Sequence, residues 1–157
     1  MKRITVVCLT LLALAMTLPL MAQSQNDEIE LTREMVQTER KAIVAANMVL
    51  SEAESRNFWP VYNDYVAEVR KVNDRRARLI VDYARTYENL TETQAEAFLK
   101  ESIDIDKAEL KVKESFLPKF KKVLTSKRVA RFYQIENKLD TIIDFGIASE
   151  IPLVRGQ

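Results

Sequence analysis

The sequence of 157 residues contains no histidine, and its only cysteine, Cys8, lies close to the start of the chain. Hydrolytic catalysis by a Ser-His or Cys-His pair therefore lacks its base. The ligands that zinc and copper prefer, imidazole and thiolate, are missing for the same reason. The carboxylates of Asp104, Asp106 and Glu109 match no calcium-binding loop, and helical geometry directs the first two to different sides. These absences predict a protein without cofactors and without enzymatic activity.

Glycine occurs only at positions 146 and 156. Phosphate-binding loops and nucleophile elbows both need glycine, and neither glycine stands in such a motif. Use of ATP or GTP is therefore not expected. A stretch without glycine, residues 23–145, also cannot easily make the tight turns of a sheet. Because the same stretch is rich in Ala, Glu, Lys, Arg and Leu, which favour helix, the sequence predicts an all-α fold.

The first 22 residues have the order of a secretory signal peptide. Lys2 and Arg3 precede an uncharged run over residues 4–18, and the small residue Ala22 ends a plausible cleavage site. Because the run is shorter than the roughly 20 residues that span a bilayer, we favour cleavage over the alternative, a retained membrane anchor. This predicts a periplasmic protein with one domain over residues 23–157. That domain has 22 basic and 23 acidic residues, which argues against a dedicated nucleic-acid binder.

Three segments share a pattern that is typical of a helix start: Leu, then Ser or Thr, then Phe eight positions after the Leu. The hydroxyl can accept a hydrogen bond from the first helical turn. At two of the segments Glu54 or Gln94 follows at the position that completes a capping box, whereas the third has Arg128 there. The residues of this predicted helix-cap motif are Leu50, Ser51, Glu54, Leu90, Thr91, Gln94, Leu124 and Thr125.

These starts divide the domain into four helices. The predicted helices cover residues 28–47, 52–87, 92–123 and 126–148. Pro60 falls inside the second helix and Pro118 near the end of the third, and each is expected to bend its helix because it removes a backbone donor. The tail over residues 150–154 contains a further proline and is expected to be extended.

Large apolar residues recur at steps of three and four, which is the period of a helix and not of a strand. They are expected to form one buried stripe on each of three helices. The stripe residues are Phe58, Tyr62, Tyr65, Val69, Val72, Leu79, Ile80 and Tyr83 in the second helix, Phe98, Ile105, Val112, Phe116 and Phe120 in the third, and Phe132, Ile135, Leu139, Ile142 and Ile143 in the fourth. Trp59, at the edge of its stripe, is a candidate for partial exposure at an interface.

Basic residues cluster on the second helix and over residues 107–131, while acidic residues concentrate elsewhere. One interpretation is that the lysines and arginines form solvated helix faces. The other is a cationic, partly apolar surface for acidic proteins or membrane surfaces. The candidate surface residues are Trp59, Arg70, Lys71, Arg75, Arg76, Arg78, Lys113, Lys121 and Lys122.

Residues 90–94, LTETQ, match the LTxxQ motif of the Spy/CpxP family of periplasmic stress proteins, and residues 50–54, LSEAE, resemble a degenerate copy. Residues 58–62 and 132–138 are similar to relatives in Bacteroidetes-type bacteria, some of which are labelled sensors of ECF-type sigma factors. The resemblance covers most of residues 28–154. It implies a cradle-like antiparallel homodimer, with long, bent second and third helices, rather than a closed bundle. The chain departs from the zinc-resistance branch of that family because it lacks histidine.

The resemblance leaves two functional hypotheses. The first is an ATP-independent holding chaperone that binds unfolded or non-native proteins on a helical cradle in the periplasm. The alternative is an accessory of envelope-stress signalling that binds the periplasmic part of a membrane sensor or anti-sigma system. A third possibility, a purely structural domain with a closed four-helix core, would be monomeric and would bind no hydrophobic dye.

Overall fold

The computed structural model describes residues 35–154, which contain four helices and no strand. The chain divides into two units, residues 1–43 and residues 44–157, and all packing reported below lies within the second. The elements are α1 over residues 35–48, α2 (Glu52–Thr86), a 3-10 turn (Tyr87–Asn89), α3 (Glu92–Val123) and α4 (Ser126–Glu150). The predicted all-α fold is thereby confirmed.

The predicted helix boundaries agree closely with the observed ones, since α2, α3 and α4 begin at the expected residues and α3 also ends where expected. Pro60 lies within α2 and Pro118 within α3, and the bends predicted there stay predictions. Residues 152–154 are not helical, as expected for the tail. The predicted signal peptide and the predicted start of the first helix lie outside the described residues.

The caps form because a hydroxyl stands just before the first turn of each helix. Ser51 Oγ accepts a hydrogen bond from the Glu54 amide at 3.3 Å, and the Glu54 carboxylate accepts from the Ser51 amide at 3.0 Å. Thr91 and Gln94 make the same reciprocal pair at the start of α3. Thr125 accepts from the Arg128 amide at 3.4 Å without a return bond. Each start therefore satisfies one or two donors that a helix leaves unpaired.

The centre of the core is a cluster of aromatic rings, which we call the aromatic end. The start of α2, the end of α3 and the start of α4 supply its rings, with centroids 4.5 Å apart for Phe120 and Phe132 and 5.4 Å apart for Phe58 and Phe132. Val44 and Met48 of α1 complete the cluster. The rings of the aromatic end belong to Phe58, Tyr62, Tyr65, Phe116, Phe120 and Phe132. Edge-to-face contacts predominate, which is the arrangement that ring quadrupoles favour.

The predicted stripe of α4 is wrong beyond Leu139. Ile142 is 69% exposed and Ile143 is 40% exposed. Ile147 and Ile151 take their place and line a small apolar groove against Ile80 and Tyr83 of α2. The face of α4 that meets the other helices therefore shifts around the helix axis towards its end, which a stripe drawn at a constant period does not anticipate.

Candidate binding surfaces

At the helix-cap motif, the start of α4 is joined to the start of α2 and to the connection before it. The guanidinium of Arg128, in the first turn of α4, donates to the Val49 carbonyl at 3.1 Å and pairs with the Glu54 carboxylate at 2.9 Å. Hydrogen bonds from the backbone and side chain of Ser51 lower the pKa of Glu54, and the charge of Arg128 adds to this effect. Where the third segment lacks the Gln or Glu of a capping box, its arginine thus stabilises the start of α2 instead.

The leading leucines of the motif are covered to different degrees. Leu124 is buried in the core, while Leu50 and Leu90 are half-buried. Leu50 packs against the aromatic end. The side chains of the two capping boxes are engaged with one another, so the motif serves helix formation.

Two of the predicted surface arginines take part in ion pairs between helices. Arg76 is 23% exposed and contacts Glu109 at 2.8 Å, Asp106 at 3.2 Å and Asp144 at 3.5 Å, so one guanidinium joins α2, α3 and α4. Arg75 pairs with Glu101 of α3 at 2.9 Å. Asp106 and Glu109, considered above for calcium, are therefore the partners of an arginine.

Lys113 belongs to the same group of charges. Its ammonium lies 2.7 Å from Glu109 and 3.2 Å from Asp140 of α4. Burial alone would lower the pKa of Lys113, but the hydrogen bond that its ammonium donates to Glu109 and the charges of Asp140 and Glu109 outweigh this effect and raise the pKa. We call the set of charged residues at this place the polar end. The polar end consists of Arg75, Arg76, Glu101, Asp106, Glu109, Lys113, Asp140 and Asp144.

The other candidate residues differ in exposure. Arg78, Lys121 and Lys122 are exposed, and Lys71 is exposed beside its partner Glu68. Arg70 is half-buried. Trp59 is half-buried as well, with its indole N–H donating to Ser55 Oγ at 2.8 Å and its ring against Phe58 and Tyr62. The structure brings Arg76 and Lys113 together at Glu109, and a cationic binding face formed by the predicted residues stays a prediction.

An exposed row of large apolar residues, which the sequence analysis did not predict, lies on α3. Leu99, Ile103, Leu110 and Leu117 are 36–61% exposed. At 100° per residue their side chains fall within about 40° of one another around the helix axis, over a length of about 27 Å. We call these four residues the α3 stripe. Its signal in the sequence is the step of seven from Ile103 to Leu110 to Leu117, which continues beside the buried stripe of the same helix.

A buried carboxyl group was also missed. Glu136 of α4 has no exposed surface, although it lies between Phe132 and Leu139 on the inward face. Tyr133, one turn away, donates to the Lys113 carbonyl at 2.8 Å. Burial and the charge of Glu136 raise the pKa of Tyr133 to about 12. A glutamate at a stripe position in the sequence was the available signal.

Within residues 35–154, no group of three or more metal-ligating side chains could hold a metal ion. No helix in this part of the chain is long and apolar enough to cross a bilayer. Comparison with known proteins finds no protein-family model, no curated protein and no solved structure that matches the chain. The function has therefore to be argued from the surfaces themselves.

Proposed function

We propose that the protein is a non-enzymatic, ATP-independent holding chaperone that binds non-native proteins on an apolar helix face. The observation that carries this proposal is the α3 stripe. Four large aliphatic side chains stay exposed along one line of a well-packed helix, although burying them would be favourable. Apolar residues scattered over a surface are normal, but exposed apolar residues that line up on one side of a helix mark a candidate binding site.

The charges around the α3 stripe support a client that exposes acidic as well as apolar groups. Lys121 continues the line of the stripe towards the end of α3, with Lys122 next to it, and both are exposed. Such cations raise the rate of encounter with acidic chains, while the stripe supplies the short-range contact. Because these contacts are weak and non-directional, clients could be held and released without nucleotide.

The proposal is tested by light scattering of an aggregating client protein in the presence of the protein. We expect suppression at a several-fold excess, and loss of most of it in the double variant Ile103→Gln/Leu110→Gln. The matched control is Ile142→Gln, which removes an equally exposed isoleucine from α4 and should leave suppression intact. An unmodified protein that leaves scattering unchanged contradicts the chaperone role.

The homodimer and the periplasmic location belong to the same proposal. Sedimentation of the protein gives the oligomeric state, and a monomer that binds no hydrophobic dye favours the purely structural domain. If Ile103→Gln/Leu110→Gln converts a dimer to a monomer, the α3 stripe is the dimer seam and clients bind elsewhere. If the variant stays dimeric but no longer suppresses aggregation, the stripe is the client surface. Fractionation of cells tests the location.

A second candidate, the signalling accessory, is favoured by the regular spacing of the stripe. Residues seven apart return to the same side of a helix, so they can contact a single partner helix that lies along it. The partner would then be the periplasmic part of a membrane sensor or anti-sigma system. Crosslinking in envelope extracts distinguishes the two functions, because one stoichiometric membrane protein favours signalling and many substoichiometric proteins favour the chaperone.

A further inference from the structure

A groove of about 690 Å³ runs between α2 and α3. Val72 of α2 and Val112 and Phe116 of α3 line it with apolar surface. Ala67 and Ala108 also line it, one from each helix, and their short side chains leave the space between the helices unfilled. The volume is that of sites which take ligands of about 20 to 30 heavy atoms.

The rim that α2 contributes carries positive and negative charges in equal number. Lys71 pairs with Glu68, and Arg75 pairs with Glu101 of α3. Asp64 is the remaining charged residue of α2 at the groove. The α2 rim therefore offers little net attraction to an ion of either sign.

The rim that α3 contributes is purely cationic. Lys111 and Lys119 lie eight residues apart, which is about 12 Å along the helix, with Ser115 between them. Neither lysine makes an ion pair within residues 35–154. The ammonium of Lys119 lies 3.9 Å from the centre of the Phe116 ring, so this charge is held directly over the apolar lining of the groove.

These features together describe a receptor for an amphipathic anion. The apolar lining favours a hydrocarbon chain or ring system, and the two lysines beside it favour one carboxylate or sulfonate group at its edge. Phosphate alone would leave the apolar lining uncovered. A purely apolar ligand would gain nothing from the charges of the two lysines.

We propose that this groove binds an elongated amphipathic anion, with its charged group between Lys111 and Lys119 and its apolar body along Ala108, Val112 and Phe116. The lining residues of α3 lie about half a turn around the helix from the α3 stripe. The inference is therefore independent of the proposed function, and a ligand in the groove leaves the stripe open.

The test is calorimetric titration of the protein with decanoate below its micelle concentration, beside the neutral detergent decyl maltoside, which has the same chain. We expect saturable binding of one decanoate per chain and at least about tenfold weaker binding of the maltoside. The double variant Lys111→Gln/Lys119→Gln should weaken decanoate about tenfold, because it removes two partly exposed charge contacts. Ala108→Leu should block the groove.

The matched control is Lys138→Gln, which removes an exposed lysine from α4 and should change nothing. Circular dichroism shows whether the Ala108→Leu variant keeps its helices. If this variant does not fold, the lysine variants alone test whether decanoate binds in the groove. Absence of saturable binding overturns the proposal. The proposal is also overturned if the two lysine substitutions leave decanoate binding unchanged while Ile103→Gln/Leu110→Gln abolishes it. The anion would then bind on the α3 stripe.

Discussion

The aromatic end and the polar end hold the same three helices together by different means. At the aromatic end, six rings pack against one another, and the centroids of contacting rings lie 4.5–6.3 Å apart. At the polar end, half-exposed arginine and lysine side chains bridge the helices. Dry ring contacts are strong and insensitive to salt, whereas partly exposed ion pairs are weak and screened. We therefore expect the aromatic end to supply most of the stability of the fold, and the contacts at the polar end to change more easily.

The largest expected effect comes from breaking the aromatic end. Phe132 contacts most rings of that end and is fully buried, so Phe132→Ala should lower the free energy of unfolding by about 3–5 kcal/mol. Phe145, which is 77% exposed on the same helix, is the control, and Phe145→Ala should stay within about 0.5 kcal/mol. Urea unfolding of the two variants measures both values, and equal losses would show that the core is elsewhere.

A smaller effect is expected from Arg76→Gln at the polar end. The substitution leaves Asp106, Glu109 and Asp144 without their shared cation, and we expect a loss of about 1 kcal/mol at low salt. Because salt screens this contact in the wild type, the difference in free energy of unfolding between the wild type and the variant should shrink as the ionic strength rises. Arg85→Gln, which removes a well-exposed pair with Asp82, is the control. A difference that is independent of salt would mean that Arg76 acts through packing.

The smallest effect is expected at the capping boxes that begin α2 and α3. The pKa of Glu54 is lowered in the folded protein, so its carboxylate stabilises the fold above its ordinary pKa of 4.5, and this contribution is lost as the pH falls through the lower, folded value. Glu54→Gln should keep the capping box, as Gln94 does, and weaken the acid dependence of the unfolding midpoint between pH 7 and pH 3. Gln94→Glu should add acid dependence at the other cap. Identical pH profiles for all three proteins would argue against this account.

Local chemistry explains why the helices could be predicted so closely. A hydroxyl before a helix and an amide or carboxyl three residues later act within a single turn, so Ser51 and Thr91 could be recognised without any tertiary information. The same holds for Phe58 and Phe132, whose spacing from the cap places them on the inward face. Local patterns of this kind depend only on helical geometry.

The candidate surface was harder to predict because charge in a sequence does not reveal its partner. The sequence suggests a cationic surface at Arg76 and Lys113. The carboxylate partners of Arg76 are 30 or more residues away, however, and Lys113 contacts Asp140, 27 residues away, as well as Glu109 of its own helix. The α3 stripe was missed for a related reason. The period of the helix places Phe116 on the buried stripe, but only the position of the other helices shows that Leu110 stays outside.

The amino-acid sequence by itself determined that the chain is helical and where α2, α3 and α4 begin, because these properties follow from side chains within one helical turn. It also determined which kinds of chemistry lack the residues that they need. Only the tertiary structure decided which apolar faces stay open, which cations are neutralised and where a groove lies between α2 and α3. Those outcomes depend on how helices that are distant in the sequence pack against one another. A helical repeat predicts an apolar face but does not show which element packs against it.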